Sequence, residues 1–314
     1  MTLIDKEPET DVVKSARRAL GPVGFHLPYI GQIPRPHMAT QQNAVVKLEQ
    51  AGYRTAWAGE GVGGKDIFTE VSVLLAATEQ MSFGTGVANM WARPAETASG
   101  AARLIEEAFP GRFVLGMGAG YPFQAEMLGE QYTKPLGRLR SYVERIKSSD
   151  RVKPGYATII AANGPKAIAA SAEIADGAHP TVVSPEFTAL ARESLGPDKL
   201  LAVGLTIFPD KDEARAKASA QQMFAAVMST PDSPYLRNLI RCGYPEDEVM
   251  SGSERVLNSV LAYGSANAIA DKIHEHLEAG ADHVVLSPVS ESYESGLEQL
   301  LWASSMLDDP RFAY

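Results

Sequence analysis

His26, Glu60 and His179 each stand at the end of a short apolar stretch, in PVGFHL, TAWAGE and GAHPTVV. Imidazole and carboxylate are among the groups most used to give and take protons in catalysis. Any one of them alone reads more readily as a structural residue than as a catalytic one. Two glycine-rich stretches accompany them. Read as a strand, MSFGTGVANMWARP (81–94) puts Ser82, Gly84, Gly86 and Ala88 on one face and Phe83, Thr85 and Val87 on the other. In FVLGMGAG, Gly116, Gly118 and Gly120 again share a face. Glycine inside a strand marks a bulge or the close approach of a ligand or another backbone. Two such strands side by side would leave a flat floor for a planar ring; the plainer reading is that the glycines relieve crowding. A third stretch, Ala161–Ala162–Asn163–Gly164–Pro165, ends one run and opens a helix. Free amides at a helix start suit a phosphate, with Thr181 as a hydroxyl donor from the next strand, although Asn-Gly-Pro is also ordinary turn chemistry. Trp57 and Trp91 flank this region and either line a pocket or pack.

Other chemistries lack their motifs. GMGAG has the spacing G-x-G-x-G, and Tyr121–Pro122–Phe123 delays the helix that a dinucleotide fingerprint requires. No HExxH, EF-hand loop, Walker loop or GxSxG occurs, so metal hydrolysis, phosphoryl transfer and serine hydrolysis have no support. The single cysteine, Cys242, excludes an intrachain disulfide and a cysteine-based metal site, and reads as a bystander thiol. No metal is expected.

The elements that must position these residues follow from apolar spacing. Strands are expected at Pro22–Leu27, Thr55–Ala58, from Met81, and at Phe113–Gly120, Ala157–Ala162, Gly177–Val183, Leu200–Phe208 and Asp282–Ser287. Helical spacing separates them at Gln41–Ala51, Phe68–Thr78, Thr97–Phe109, Arg138–Lys147, Lys166–Ala175, Phe187–Leu195 and Glu213–Met228, and Ser265 can cap the last. A helix–Gly–strand junction recurs in LEQAGYRTAW, EIADGAHPTVV and LEAGADHVVL. Alternating strands and helices imply a parallel sheet, and eight units imply a closed (β/α)8 TIM barrel over an open doubly wound sheet. Residues 1–314 then form one domain, with an arm at 1–20 that carries a helical turn or two near Val12–Leu20. An insertion at 230–264 precedes the last helix and strand.

The 314 residues are 45% hydrophobic and 21% charged, which is ordinary globular composition. A net charge of −9 disfavours nucleic acid and anionic lipid as partners. No apolar window approaches the ~18 residues of a membrane span, and the charged start lacks a signal-peptide core, so a cytoplasmic protein acting on a small molecule is expected.

With these stretches in view, the chain resembles the bacterial luciferase-like superfamily, in its actinobacterial branch that uses the deazaflavin coenzyme F-420. GTGVANMWARP, PGRFVLGMGAG, YTKP, AANGP, ADGAHPTVVSPE and AGADHVV carry the resemblance, which runs from about Gly21 to Val289. It implies a (β/α) barrel, usually a homodimer, with a bulge and non-prolyl cis peptide in the third strand, at Gly86–Val87 here. It implies a coenzyme ring bordered by Gly86, Val87, Ala88, Asn89, Gly118, Ala119 and Gly120, with Gln124 near the polar edge. Ala161, Ala162, Asn163, Gly164 and Thr181 would hold the phosphate side. The superfamily's sugar-phosphate dehydrogenase has Asp-His where this chain has Glu60–Gly61, and a Glu where this chain has Tyr121. Glucose-6-phosphate oxidation by that route is therefore not implied. The expectation is hydride transfer between F-420 and a small organic substrate, with Glu60, His26, Tyr121 or His179 handling the proton and Glu60 the first choice. An FMN-dependent monooxygenase and a non-catalytic flavin or deazaflavin binder are the alternatives.

Overall fold

Two of the three helix–Gly–strand junctions close by the same device. The helix Met38–Gln50 is followed by Gly52 at φ +99°, whose N–H bonds Glu49 O while that of Tyr53 bonds Leu48 O. The helix Ala266–Glu278 repeats this at Gly280, φ +101°, with Ala281 N–H on His276 O. A left-handed residue turns the chain while satisfying the last helical carbonyls, and glycine adopts it without steric cost. The third junction differs. The helix Pro165–Ile174 ends on extended Ala175, and Gly177 already lies in a strand, where a Cβ would stand 2.0 Å from Leu200 O. That glycine admits a neighbouring strand instead of turning the chain.

The computed structural model describes residues 12–28, 35–148, 154–229 and 233–312. Its strands are β1 (Val23–His26), β2 (Thr55–Ala58), β3 (Ser82–Thr85), β4 (Ala88–Asn89), β5 (Phe113–Gly118), β6 (Ala157–Ala161), β7 (Gly177–His179), β8 (Leu200–Pro209), β9 (Leu261–Gly264) and β10 (His283–Pro288). Pairings are parallel, and β10 joins both β8 and β1, so the order β1-β2-β3-β5-β6-β7-β8-β10 closes on itself. This is the expected (β/α)8 TIM barrel, and its eight strands overlap the eight expected apolar runs. No helix among the described residues is long and apolar enough to cross a membrane.

Strands β4 and β9 were not expected as separate elements. Gly84 pairs with Val114 and Ala88 with Met117, so four steps along β3–β4 match three along β5. The surplus residue is a bulge. Strand β9 ends the insertion and pairs with the far half of β8, from Thr206↔Leu261 to Pro209↔Gly264. The insertion also folds as three short helices, Pro234–Arg241, Glu246–Ser251 and Glu254–Val260. Phe224 and Met228 of the helix Glu213–Met228 pack with Leu239, Val249, Leu257 and Val260 in a core of their own.

The helical turns expected near Val12–Leu20 are present. They form a nine-residue helix, Val12–Leu20, whose Val13, Ala16 and Leu20 pack on the lumen residues Trp57, Val114, Ile159 and Leu200. Thr55 Oγ1, at the start of β2, donates to Leu20 O at 2.6 Å, so the helix plugs the amino-terminal end of the barrel. Arg17 fastens it, through Asp282 at 2.9 Å and Pro197 O at 2.6 Å. Residues 1–11, and 29–34 of the long loop after β1, lie outside the described residues.

The glycine-lined face of β3 has an occupant within the protein. A Cβ on Gly84 would fall 2.3 Å from Trp57 Cε3, and Trp57 is completely buried. Its Nε1 donates to His283 Nε2 at 3.0 Å, and His283 Nδ1 in turn donates to Gly21 O. The indole is thus pinned at both its ring and its N–H. Gly84→Ala should overpack this site and cost about 1–3 kcal/mol or somewhat more, read as a lower urea midpoint with an unchanged m-value.

Candidate functional site

The carboxyl ends of the strands form one rim, where ligands of (β/α) barrels bind. The peptide bond Gly86–Val87 is cis. Gly86 N–H donates to Ala58 O at 2.7 Å, and Glu60 N–H to Val87 O at 3.2 Å, which ties the bulge to the end of β2. On the other side the Thr85 hydroxyl substitutes for ladder pairing. It donates to Gly116 O at 2.7 Å and accepts from Gly116 N–H at 2.8 Å. A Cβ on Gly116 would stand 1.9 Å from Thr85 O, and one on Gly118 2.4 Å from Val87 Cγ2. These two glycines therefore admit the bulge itself. Beyond it Gly86, Val87, Ala119, Gly120, Ala161, Asn163, Gly164 and Thr181 remain only half-buried around the mouth, whereas Ala88, Asn89, Gly118 and Ala162 are buried behind them.

Asn89 and Gln124 shape this wall. Asn89 Oδ1 accepts from Trp91 N–H at 2.9 Å, and its Nδ2 donates to Gln124 Oε1 at 3.1 Å. Gln124 Oε1 also accepts from Tyr121 N–H at 2.9 Å, capping the helix Pro122–Met127 that follows β5. Trp91 Nε1 donates to Ala119 O at 2.7 Å and Tyr132 OH to Gly120 O at 2.9 Å. The YTKP loop and Trp91 thus clamp the backbone of Ala119 and Gly120 from behind.

The four expected proton carriers have different fates. Glu60 is tied into an ion pair. Its carboxylate accepts from Arg93 Nη1 at 3.0 Å, from Arg93 Nη2, and from Asn89 N–H at 2.8 Å, with only 3% of the side chain exposed. Arg93 also pairs with Asp66 at 2.9 Å. Burial works against the Arg93 charge, but Glu60 and Asp66 outweigh it and raise the Arg93 pKa. The Glu60 carboxylate thus joins Arg93 to the backbone of Asn89 and holds that part of the wall. Sequence reasoning passed over Arg93, although a cation two residues after Trp91 in MWARP was the available signal.

His26 is buried between two carbonyls, Leu27 O at 2.9 Å from Nδ1 and Gly86 O at 3.1 Å from Nε2. Only an imidazolium could donate to both, yet burial, aided by the charge of Arg35, holds its pKa below the ordinary value. His179 stacks on Trp57 at 5.3 Å and sets Nδ1 2.8 Å from Ala202 O, which fixes the neutral ring with its proton on Nδ1. Burial brings its pKa down to about 4. Tyr121 is different: 49% exposed, with its hydroxyl 3.3 Å from that of Tyr235. Tyr235, and then burial of the hydroxyl end, push the Tyr121 phenol well above its ordinary value. Nothing in the insertion's sequence points to Tyr235, since its role depends on where the helix Pro234–Arg241 docks.

On the far side of the rim, Asn163 Oδ1 accepts from Thr181 N–H at 2.8 Å, joining the ends of β6 and β7. Gly164 is the N-cap of the helix Pro165–Ile174, and no side chain caps it. An ideal Cβ on Gly164 would lie 3.6 Å from Arg241 Nη1, so a cation from the insertion stands at the same helix start. Next to it Cys242 is half-buried, with its thiol pKa raised by burial, in keeping with an inert thiol. Among the described residues no group of three or more His, Cys, Asp or Glu side chains could hold a metal ion.

Residues 24–149 match the luciferase-like monooxygenase family. The chain is 27% identical, over 85% of its length and 90% of the relative's, to a 5,10-methylenetetrahydromethanopterin reductase of Archaeoglobus fulgidus. It shares its fold with the coenzyme F-420-dependent tetrahydromethanopterin reductase of Methanopyrus kandleri, at TM-score 0.70 and 19% identity over 93% of this chain and 99% of that one. It shares it equally with the oxygenating constituent of a 3,6-diketocamphane monooxygenase of Pseudomonas putida, in complex with FMN, at TM-score 0.69 and 14% identity over 93% and 99%.

Two stability measurements check the site's electrostatics. Glu60→Gln leaves Arg93 and Asn89 N–H undercompensated in a buried place and should cost roughly 3 kcal/mol, measured by urea unfolding at pH 7.5. Burial lowers the pKa of His179, His276 and His283 to about 4. Between pH 6.5 and 4 the unfolded chain binds protons that these rings refuse, so their contribution is full above pH 6.5 and is lost as pH falls toward 4. Each ring should add up to ~1.4 kcal/mol per pH unit of destabilisation in that window, seen as urea midpoints that drop from pH 7.5 through 6 to 5.

Proposed function

We propose that the chain, whose residues 24–149 match the luciferase-like monooxygenase family, is an F-420-dependent oxidoreductase that reduces a small organic substrate at the mouth of its barrel. The observation that carries the reading is the rim itself. A half-buried edge of peptide surface runs from the cis bulge past Ala119 and Gly120 to an uncapped helix start with Arg241 beside it.

The residues present fit a flat ring with a phosphate-bearing chain. Gly86, Val87, Ala88, Asn89, Gly118, Ala119 and Gly120 offer backbone and small side chains, and Gln124 fixes the turn at their edge. Ala161, Ala162, Asn163, Gly164 and Thr181, with Arg241, would hold the phosphate at the free amides of the helix Pro165–Ile174. When bound, the coenzyme supplies a hydride at ring carbon C5. Everything else falls to the protein. Glu60 and Arg93 keep Asn89 in place, and His26 supports the Gly86 carbonyl.

Tyr121 is the residue left to move a proton. A phenol with a raised pKa keeps its proton at neutral pH and acts as a donor, which favours a substrate that gains hydride and proton together. Tyr235 places its hydroxyl 3.3 Å from the same hydroxyl.

Titration of the protein with F-420 and with FMN, followed by fluorescence, tests the coenzyme. Tight F-420 binding without FMN binding is expected; a preference for FMN would overturn the reading in favour of a monooxygenase. Tyr121→Phe should lower turnover about 100-fold or more with F-420 affinity unchanged. Unchanged turnover would remove Tyr121 from the chemistry, and binding without turnover on any reducible substrate would mark a non-catalytic binder.

A further inference from the structure

We propose that a cleft beside the bulge, formed by residues 90–95 and the helix Pro135–Ser148 with the loop before it, is a binding site for an organic polyanion that carries two or more carboxylate or phosphate groups. The cleft holds about 920 Å³ and is lined by none of the residues assigned above to the coenzyme. That volume is in the range of small-molecule pockets and far exceeds a single inorganic anion.

Its charge runs against the chain. In a protein of net charge −9, four cations line this cleft, Arg93, Lys134, Arg138 and Arg145, against one carboxylate, Glu130. Two of the four are spent, Arg93 on Glu60 and Asp66, and Arg145 on both oxygens of Glu96 at 2.9 and 2.7 Å. The other two are not. Arg138 rests over the Trp91 ring at 5.0 Å and reaches Glu130 and Thr133 only at 3.5 and 3.4 Å, too long for firm hydrogen bonds. Lys134 is exposed and makes no ion pair among the described residues.

Lys134 carries a second signal. Its φ is +47°, the left-handed region, directly before Pro135. A residue with a Cβ stands there at a cost of about 1–2 kcal/mol relative to glycine. Glycine would serve the turn better, but only lysine brings an ammonium to the cleft's edge. Lys134 and Arg138 together set two adjacent cationic anchors, which is why the ligand needs at least two acid groups.

Isothermal titration of the coenzyme-free protein with citrate and with pyrophosphate at low salt tests the site without relying on the proposed reaction. At least one of them should bind with a Kd of about 1 mM or tighter. Lys134→Gly should weaken binding about tenfold while the melting temperature holds or rises, since glycine relieves the backbone. Arg138→Gln should weaken it similarly, and Lys134→Arg should bind as the native protein does. No heat from either anion, or binding that survives the Lys134→Gly and Arg138→Gln double change, would overturn the proposal. Repeating the titration with F-420 at saturation separates two sources of the anion. Competition identifies the acidic end of a molecule seated at the rim, and independent binding identifies a separate metabolite.

Discussion

One surplus residue between β3 and β5 governs the rest of the site. Four steps on one strand must fit three on the other, so the chain between Thr85 and Ala88 has to leave the ladder and return to it. Thr85 makes the departure tolerable by giving Gly116 a hydroxyl in place of a peptide, and Gly116 and Gly118 make room for the displaced backbone. What leaves the ladder then needs new partners. Ala58, Glu60 and His26 supply them from β2 and β1, and Asn89 resumes pairing against Gly118. The rim's shape is the consequence of accommodating that one residue.

The polar groups around the bulge are almost fully committed to one another. Glu60 serves Arg93 and Asn89, Asn89 serves Trp91 and Gln124, and Gln124 serves Tyr121. Such saturation makes a rigid wall, because each group left without its partner would carry a desolvation penalty. It also divides labour. These side chains spend their hydrogen bonds inside the fold, whereas the Tyr121 hydroxyl meets the insertion at Tyr235.

The barrel was legible because its signals are local. Apolar runs of strand length, helical stripes and two left-handed glycines lie within a few residues of one another, and each acts on its own segment. The empty face of β3 was legible as a feature but not as a cause. Gly84 answers to Trp57, which is fixed by His283, a partner 226 residues away in sequence. Glu60 shows the same limit. Its neighbours in sequence say nothing about its partner, which is Arg93, 33 positions on. The helix Val12–Leu20 carried an amphipathic pattern, yet only the closed barrel supplies the hole that it fills. The insertion's helices are six to eight residues long, too short for periodicity to declare them.

The insertion's separate core has a consequence for how the molecule can be altered. Phe224, Leu239, Val249 and Val260 pack with one another in a cluster that reaches the barrel through Phe208 of β8 and Leu261 of β9. Substitutions in this cluster that lie away from Phe208 and Leu261 should add independently to changes elsewhere in the barrel. Tyr235 and Arg241 therefore ride on a module that can be re-sculpted piece by piece, and the barrel beneath it can serve as a fixed chassis while the faces that meet new ligands are exchanged.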